Sequence, residues 1–365
     1  MFSKVKLFFS SFAYPRGIEL LAILAMVGVY MLSSTFTLNG DGSYGYNMHQ
    51  RLDDPWAFAD NDLAVMGSLD GNFILYRLLY YVPFFSKNFV LADFIISFPI
   101  SILLIFAWYN IFYLMTRNRF VTVVSIFFML FVGARFAIGG STIPLFYLSP
   151  ITSVLFAQTF ALLFYLKGSR VWTMAIVSAT TYLHPSSGIF FMCAYGLLFL
   201  LDAYNDKNYR KFVAAAVLST LIFLPNIFIA GSRIGEIGDP EKFFRIFYSL
   251  NGPGWGHIYI RSYPMAYLFT LTSLLLILVM FFRKKINLTH TATIIKLISI
   301  GFVLVGLWLI DVYFVHNVQV FYLYFATRMT YLIKPLFILF FVSAAYGLYQ
   351  QRTMSSKAVI IKRNK

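Results

Sequence analysis

Five aspartates lie in one short polar stretch of an otherwise very apolar chain. The stretch runs from Asn39 to Asp62, and Asp41 comes three residues after an apolar run ends. If that run crosses a bilayer, Asp41 lies at the membrane surface, where partial shielding by lipid and aromatic rings makes a carboxylate more basic. We therefore expect Asp41 to be a general base that takes a proton from a hydroxyl or an amine.

The other four aspartates form two pairs, Asp53-Asp54 and Asp60-x-Asp62. Paired carboxylates bind polar ligands and can hold a divalent cation through their oxygens. We interpret Asp53 and Asp54 as substrate-binding residues, and Asp60 and Asp62 as candidate ligands of a divalent cation, while the sequence indicates no other cofactor. Turn formation and helix capping by the same side chains on a solvated loop stay open as an alternative.

The elements that position these acids are membrane-spanning helices. Sixty per cent of the 365 residues are hydrophobic, 12% are charged and the mean hydropathy is +0.75, whereas globular domains carry about 25% charge. Long uncharged runs favour helices over a barrel. The sequence predicts an all-α polytopic integral membrane protein. Its net charge of +15 is not gathered on a soluble basic face, so we expect no nucleic-acid partner.

Apolar runs predict about ten transmembrane helices, at about 20 residues for each crossing. The first run is too long for a signal-peptide core and is interpreted as a retained anchor. We expect one helical domain over residues 1–350, followed by a basic cytoplasmic tail at 351–365. The predicted spans lie near 17–38, 89–115, 120–138, 150–166, 171–184, 187–202, 212–230, 263–282, 291–313 and 319–349.

Basic residues orient the predicted bundle. Of the 29 Lys and Arg, 18 fall in the termini and in alternate short loops, and such loops are cytoplasmic. Both termini are then cytoplasmic, and two long outer loops cover residues 39–88 and 231–262. The first loop contains GNFILYRLLYYVPFFSKNF (Gly71 to Phe89), which favours a helix lying in the membrane interface. A short extra span is the open alternative.

A helix break is predicted at LHPSSG, where His184 precedes Pro185. Only 32 residues separate the flanking cytoplasmic charges, and two crossings need about 40, so the tip should lie below the outer surface. An ionisable residue at that depth is a functional candidate. Capping of a neighbouring helix by His184 is the alternative.

Cations near the outer face complement the acids. Arginine binds phosphate with two parallel hydrogen bonds, and a basic pocket at headgroup depth fits a lipid phosphate. Ordinary attraction to lipid headgroups is the alternative for any one of them. The loop SLNGPGWGHIYIRSYP also offers aromatic rings that can stack on a sugar. The candidate substrate-binding residues here are Arg135, Arg233, Arg245, His257, Arg261, Arg328 and Lys334.

The opening stretch resembles the start of the C superfamily of membrane glycosyltransferases, in which an Asp-Glu-x-x-Tyr motif follows the first span. Asp41 and Tyr44 correspond to its Asp and Tyr, and Gly42 stands at the acidic second position. Together with LHPSSGIFF, the stretch is also similar to a group of bacterial polytopic membrane proteins of unassigned function. This group has an early Asp and Tyr, a DP...ND segment and a Leu-His-Pro helix break.

The resemblance implies sugar transfer on the outer face of a bacterial inner membrane. A polyprenyl-phosphate sugar would be the donor, a cell-surface glycan or a lipid the acceptor, and Asp41 the base for inverting displacement. His184 would orient the substrate, and Tyr44 would contact it. Two other classes stay open, a polysaccharide polymerase or ligase and a non-enzymatic transporter of a lipid-linked or small polar substrate.

Overall fold

The structure, a computed structural model, describes residues 12–33, 89–131, 150–183, 185–234, 288–310, 314 and 330–363. These residues form helices and short turns without strands, which confirms the predicted all-α class for them. The helices are α1 (Gly17–Ser33), α2 (Phe89–Thr116), α3 (Arg119–Phe131), α4 (Pro150–Leu166), α5 (Arg170–Ala179), α6 (Pro185–Asp206), α7 (Tyr209–Ile234), α8 (Thr291–Ile310) and α9 (Thr330–Arg363), with a 3-10 turn at Thr180–Tyr182 between α5 and α6.

Two of the described helices are long and apolar enough to cross a membrane. They are the Phe98–Thr116 part of α2 and the Ser187–Asp206 part of α6. Shorter apolar helices occupy 17–29, 119–131, 154–166 and 291–304. Length and composition therefore support membrane association, and the arrangement with about ten crossings stays a prediction.

The predicted spans overlap with helices wherever the structure describes them, but α5 ends at Ala179, and a 3-10 turn occupies most of the remainder of the predicted span 171–184. α4 has the predicted bounds, and α2 differs from its span by one residue. The predicted span near 263–282 and the interfacial piece at 71–88 lie outside the described residues, as does most of both outer loops. α9 continues without interruption past residue 350, through most of the segment expected as a tail.

Short turns join the helices, and their conformation explains where the helices end. Arg117 follows α2 with φ 53° and Lys207 follows α6 with φ 51°, while Gly168 follows α4 with φ 77°. A left-handed residue just after a helix lets the chain reverse and satisfies its last carbonyls. Thr289, which lies far from α2 in sequence, also satisfies a carbonyl at the end of α2, because its N–H donates to the Met115 carbonyl at 2.9 Å.

All these turns lie on one face of the bundle. Ala13 donates its N–H to the Asn110 side chain at 2.7 Å. The Lys167 ammonium lies 3.3 Å from the centroid of the Phe12 ring, which links the segment before α1 to the α4–α5 turn. The α6–α7 turn joins the same face through Asp202 and Asp206, which bind Arg170. Four of the basic groups predicted to be cytoplasmic thus share one face, which we call the basic face: Arg16, Arg117 with Arg119, Lys167 with Arg170, and Lys207 with Arg210 and Lys211.

Large aromatic side chains fill the interior, and apolar side chains also cover much of the outside. Trp108 and Phe112 on α2 and Phe190 on α6 are fully buried. In contrast, Leu221 is 62% exposed and Val303 is 62% exposed. Large exposed apolar surfaces on soluble proteins mark contact with a partner or a membrane. The outer surface of α7 and α8 is therefore suited to lipid.

Candidate functional site

The break between α5 and α6 is the most irregular buried backbone among the described residues. α6 begins at Pro185, whose missing N–H is tolerated in the first turn of a helix, and the 3-10 turn at Thr180–Tyr182 comes just before the break. Gly188, in the first turn of α6, packs directly against this turn. A Cβ added there would lie 2.5 Å from the Thr181 nitrogen and 2.6 Å from its Cα. The predicted break is confirmed, and its close packing needs glycine.

Polar side chains of two other helices bind the 3-10 turn, one at its backbone and one at a side chain. Asn226 on α7 donates to the Thr181 carbonyl at 2.8 Å, and Gln158 on α4 donates to the Thr180 hydroxyl at 3.1 Å. The Tyr182 hydroxyl donates to the Ile222 carbonyl at 2.7 Å. Irregular backbone at membrane depth is tolerated where protein buries it and supplies such partners. We call Gln158, Ser178, Thr180, Thr181 and Asn226 the break cluster.

The break cluster also spans the contact between α5 and α7. The hydroxyls of Ser178 and Ser219 lie 2.5 Å apart, both buried. α7 carries Pro225 at this level, and a proline inside a helix leaves the carbonyl four residues earlier without its helical donor. Two interrupted segments thus pack side by side. The Gln158 Oε1 atom is buried without a hydrogen-bond partner among the described residues.

Lys334 is the buried cation of the described part. It lies on α9 just before Pro335, its side chain is 6% exposed, and no described residue is a hydrogen-bond partner of its Nζ. Tyr346 of α9 contacts Phe120 at the start of α3, with ring centroids 5.8 Å apart. Lys334 is 12 residues earlier on the helix and therefore lies roughly 18 Å deeper, at about 1.5 Å per residue.

Several charged side chains at the basic face form pairs within the chain. The Glu19 carboxylate accepts hydrogen bonds from Arg119 and from the Tyr109 hydroxyl, both at 2.8 Å. Asp202 accepts from Tyr165 at 2.5 Å and from Arg170 at 3.3 Å. Such pairs join α1 to α2 and α3, and α4 to α6. Their partners are all within the chain, which is typical of a structural role.

Lys167 at this face carries a shifted pKa. Burial lowers the pKa of its ammonium from 10.5 to about 8, because desolvation disfavours the charged form. The Phe12 ring under the ammonium acts in the opposite direction, since a cation over a ring face is stabilised. Burial is the larger of the two effects, so the pKa of Lys167 lies below its ordinary value.

Two of the site residues proposed from the sequence, Arg233 and Lys334, belong to the described part of the chain. Arg233 belongs to the last turn of α7 rather than to the outer loop predicted from residue 231. The helix continues because the apolar run ends only a few residues before it. Lys334 is buried on α9. Outside the described residues lie Asp41, Tyr44, Asp53, Asp54, Asp60, Asp62, Arg135, His184, Arg245, His257, Arg261 and Arg328.

Sequence reasoning missed the break cluster. Gln158 stands in an otherwise apolar α4, and Asn226 directly follows Pro225 inside an apolar α7. Polar residues inside a predicted span were the available signal, because burying them in a membrane is costly without a partner. In the described part of the chain, no three potential metal ligands (His, Cys, Asp or Glu) come together. Asp60 and Asp62, the candidate metal ligands, lie outside the described residues.

Comparison of the chain with protein-family models, with curated proteins and with solved structures finds no significant match.

Proposed function

We propose that this protein is a membrane glycosyltransferase that moves a sugar from a polyprenyl-phosphate donor to a glycan or lipid acceptor. The observation that carries the proposal is Lys334, a cation buried inside the bundle with no described partner. An ammonium removed from water costs several kcal/mol unless an anion compensates it. A lipid phosphate entering the bundle supplies such an anion.

The depth of Lys334 supports a lipid rather than a soluble anion. Roughly 18 Å from the level of Tyr346, the residue lies in the half of a ~30 Å hydrocarbon layer opposite the basic face. Phosphate reaches this depth most readily when a hydrocarbon tail brings it into the membrane. Arg328, six residues earlier in the sequence, would then meet the headgroups and add a second contact to the phosphate.

The chemistry of the proposal divides the roles among few groups. Asp41 takes the proton from the acceptor hydroxyl or amine, whose oxygen or nitrogen then attacks the anomeric carbon. The bond to the donor oxygen breaks, and its electron pair leaves with the polyprenyl phosphate. Lys334, with Arg135, Arg245, Arg261 and Arg328 as further candidates, stabilises the charge that develops there. His184, at the helix break, orients the substrate.

The proposal includes the membrane arrangement predicted from the sequence. About ten helices cross the bacterial inner membrane, and the basic face with both termini lies in the cytoplasm. The donor site then opens to the outer leaflet. Four basic groups lie together on the basic face. Because cytoplasmic loops are enriched in Lys and Arg, this arrangement supports the proposed orientation.

A transporter of a lipid-linked substrate is the second candidate. The observation that favours it is the packing of the broken α5–α6 hairpin against Pro225 of α7. Discontinuous helices side by side are typical of transporter binding sites. Catalytic turnover separates the two, since a transporter moves its substrate across the membrane without cleaving the sugar from the lipid.

The test of the proposal compares two lysine variants of the full chain in lipid nanodiscs. Lys334→Met should weaken binding of a short-chain polyprenyl phosphate by at least tenfold, since a hydrogen bond to a charged group contributes about 1.5–3 kcal/mol. Lys296→Met removes a cation that is 40% exposed at the basic face and should leave binding unchanged. Equal binding by wild type and Lys334→Met would refute the phosphate role of Lys334.

The catalytic part needs a separate variant. Asp41→Asn should bind the lipid phosphate normally and lose sugar transfer, measured as the glycan composition of cells that express only the variant. Unaltered glycans at normal protein levels would rule out Asp41 as the base, whatever the lysine variants show.

A further inference from the structure

A groove between α6 and α7 is lined almost entirely by apolar and small side chains. It encloses about 460 Å³, within the range of roughly 300–1,000 Å³ that small-ligand pockets occupy. Cys193, Gly196 and Leu200 form the α6 wall, and Phe212 and Ala216 belong to the α7 wall. The groove takes no part in the site around Lys334, and it needs an apolar occupant.

The length and depth of the groove fit a hydrocarbon chain. From Cys193 to Leu200 the wall extends roughly 10 Å along α6, and Leu200 lies roughly 9 Å from the end of the helix at Asp206. The groove therefore extends along α6 from about 9 Å to about 20 Å from the basic face, that is, from the leaflet next to this face to the middle of the bundle. Leu197 and Val213 beside it are 42% and 55% exposed, so it opens sideways, where the lipid of that leaflet would be.

Cations without a carboxylate partner among the described residues lie in the turn between α6 and α7, next to the end of the groove. Asp202 and Asp206 are already paired with Arg170, and Asp202 also with Lys296. Lys211 comes four residues before Ala215 and so lies one turn below the groove lining. The exposed cations that have no ion pair among the described side chains of this turn are Lys207, Arg210 and Lys211.

We propose that the groove binds one acyl chain of an anionic phospholipid from the leaflet next to the basic face, with the lipid phosphate held by Arg210 and Lys211. Basic residues where helices meet the membrane surface attract anionic lipid headgroups, and the Arg210 guanidinium can donate two parallel hydrogen bonds to a phosphate. The groove gives the acyl chain a defined binding place, which electrostatic attraction to the protein surface alone does not provide. This lipid site is independent of the proposed transferase activity.

Native mass spectrometry of the full chain, with phosphatidylglycerol and phosphatidylcholine in competition, tests the headgroup contact. Wild type should retain phosphatidylglycerol in preference to phosphatidylcholine. Arg210→Gln with Lys211→Gln should lower this preference on the order of tenfold, because each cation near the surface strengthens binding of an anionic lipid. Arg117→Gln removes a cation from the same face away from the groove and should keep the preference. An equal loss in all variants would show ordinary surface attraction only and overturn the proposal.

A substitution that fills the groove with a larger side chain tests whether the groove holds an acyl chain. Gly196 and Gly347 both have open space where a Cβ would stand, so Gly196→Leu and Gly347→Leu should both fold. Only Gly196→Leu places a side chain in the groove, and it should reduce lipid retention severalfold for both headgroups. Retention equal to that of Gly347→Leu would exclude an acyl chain in the groove.

Cys193 offers a measurement without any substitution. It is the single cysteine of the chain, is exposed and lines the groove. A small membrane-permeant thiol reagent should modify it more slowly as phosphatidylglycerol is added to protein in detergent. A modification rate independent of the lipid would contradict occupancy of the groove.

Discussion

Gly188→Ala should destabilise the protein although it adds a single methyl group. The added Cβ would lie 2.5 Å from the Thr181 nitrogen and 2.6 Å from the Thr181 Cα, where ordinary contacts begin at 3.4 Å. Both atoms belong to the backbone of the 3-10 turn and cannot rotate away, so α6 must move relative to the turn by nearly 1 Å. Forcing extra volume into a packed site costs about 1–3 kcal/mol.

Two further effects change this cost in opposite directions. Movement of the turn lengthens the hydrogen bond from Asn226 to Thr181, and that bond contributes about 1 kcal/mol. Alanine is also the better helix former, by up to about 1 kcal/mol inside a helix. These two effects nearly cancel, which leaves a net loss of about 2 kcal/mol, or a melting temperature lower by about 3 °C in a chain of this size.

Thermal unfolding of the purified full chain in detergent, followed by far-UV circular dichroism, measures the effect. Gly196→Ala is the matched control, because it is also a helical glycine of α6 but has no atom within 4 Å of the added Cβ. It should melt at or slightly above the wild-type temperature. If Gly188→Ala melts with the control, the first turn of α6 does not pack on the 3-10 turn, and the reasoning about the break is wrong.

Four other substitutions test the remaining contacts by the same melting measurement. Asn226→Leu should cost about 1–3 kcal/mol, because it leaves the Thr181 carbonyl buried without this donor, and an unchanged melting temperature would contradict that contact. Asp202→Asn should cost about 2–3 kcal/mol, because the Asp202 side chain is only 17% exposed. Asp206→Asn should cost less than about 1 kcal/mol, because the Asp206 side chain is 56% exposed. Equal losses of stability in the two variants would contradict this ranking. Burial lowers the pKa of Lys167 to about 8 in the folded protein. Between pH 8 and about 10.4 the unfolded state therefore binds more protons than the folded state, so the free energy of unfolding should rise with pH in this range. Lys167→Met should be more stable than wild type at pH 7 and lack the rise, and an identical pH profile would contradict the burial of the charged form.

Lys334→Met should raise the stability of the protein, whereas most substitutions in a protein core lower it. The lysine is buried without a described partner, and replacing an uncompensated buried charge by an apolar side chain of similar length stabilises a protein. We expect a higher melting temperature in the absence of lipid. Added polyprenyl phosphate should raise the melting temperature of wild type and not of the variant, because only wild type binds it. A variant less stable than wild type would indicate a structural partner for Lys334.

The helices could largely be located from the apolar runs. α4 has the predicted bounds, and α2 and α8 begin at the predicted residues, since about 20 apolar residues without a charge have few other folded solutions. The break at His184-Pro185 was also predicted, because proline ends a helix. In contrast, α9 extends past residue 350 although its sequence turns polar there, and hydropathy has no bearing on where such a helix stops.

The chain's composition and charge order determined by themselves that its described part is helical and that basic turns alternate with apolar helices there. Only the tertiary structure decided which polar residues meet. Gln158, Thr180 and Asn226 are far apart in sequence yet converge on one broken turn, and Lys334 is buried rather than directed to the surface. The physical reason is that hydropathy describes each residue alone, whereas the partner of a buried polar group depends on how helices from distant parts of the chain pack together.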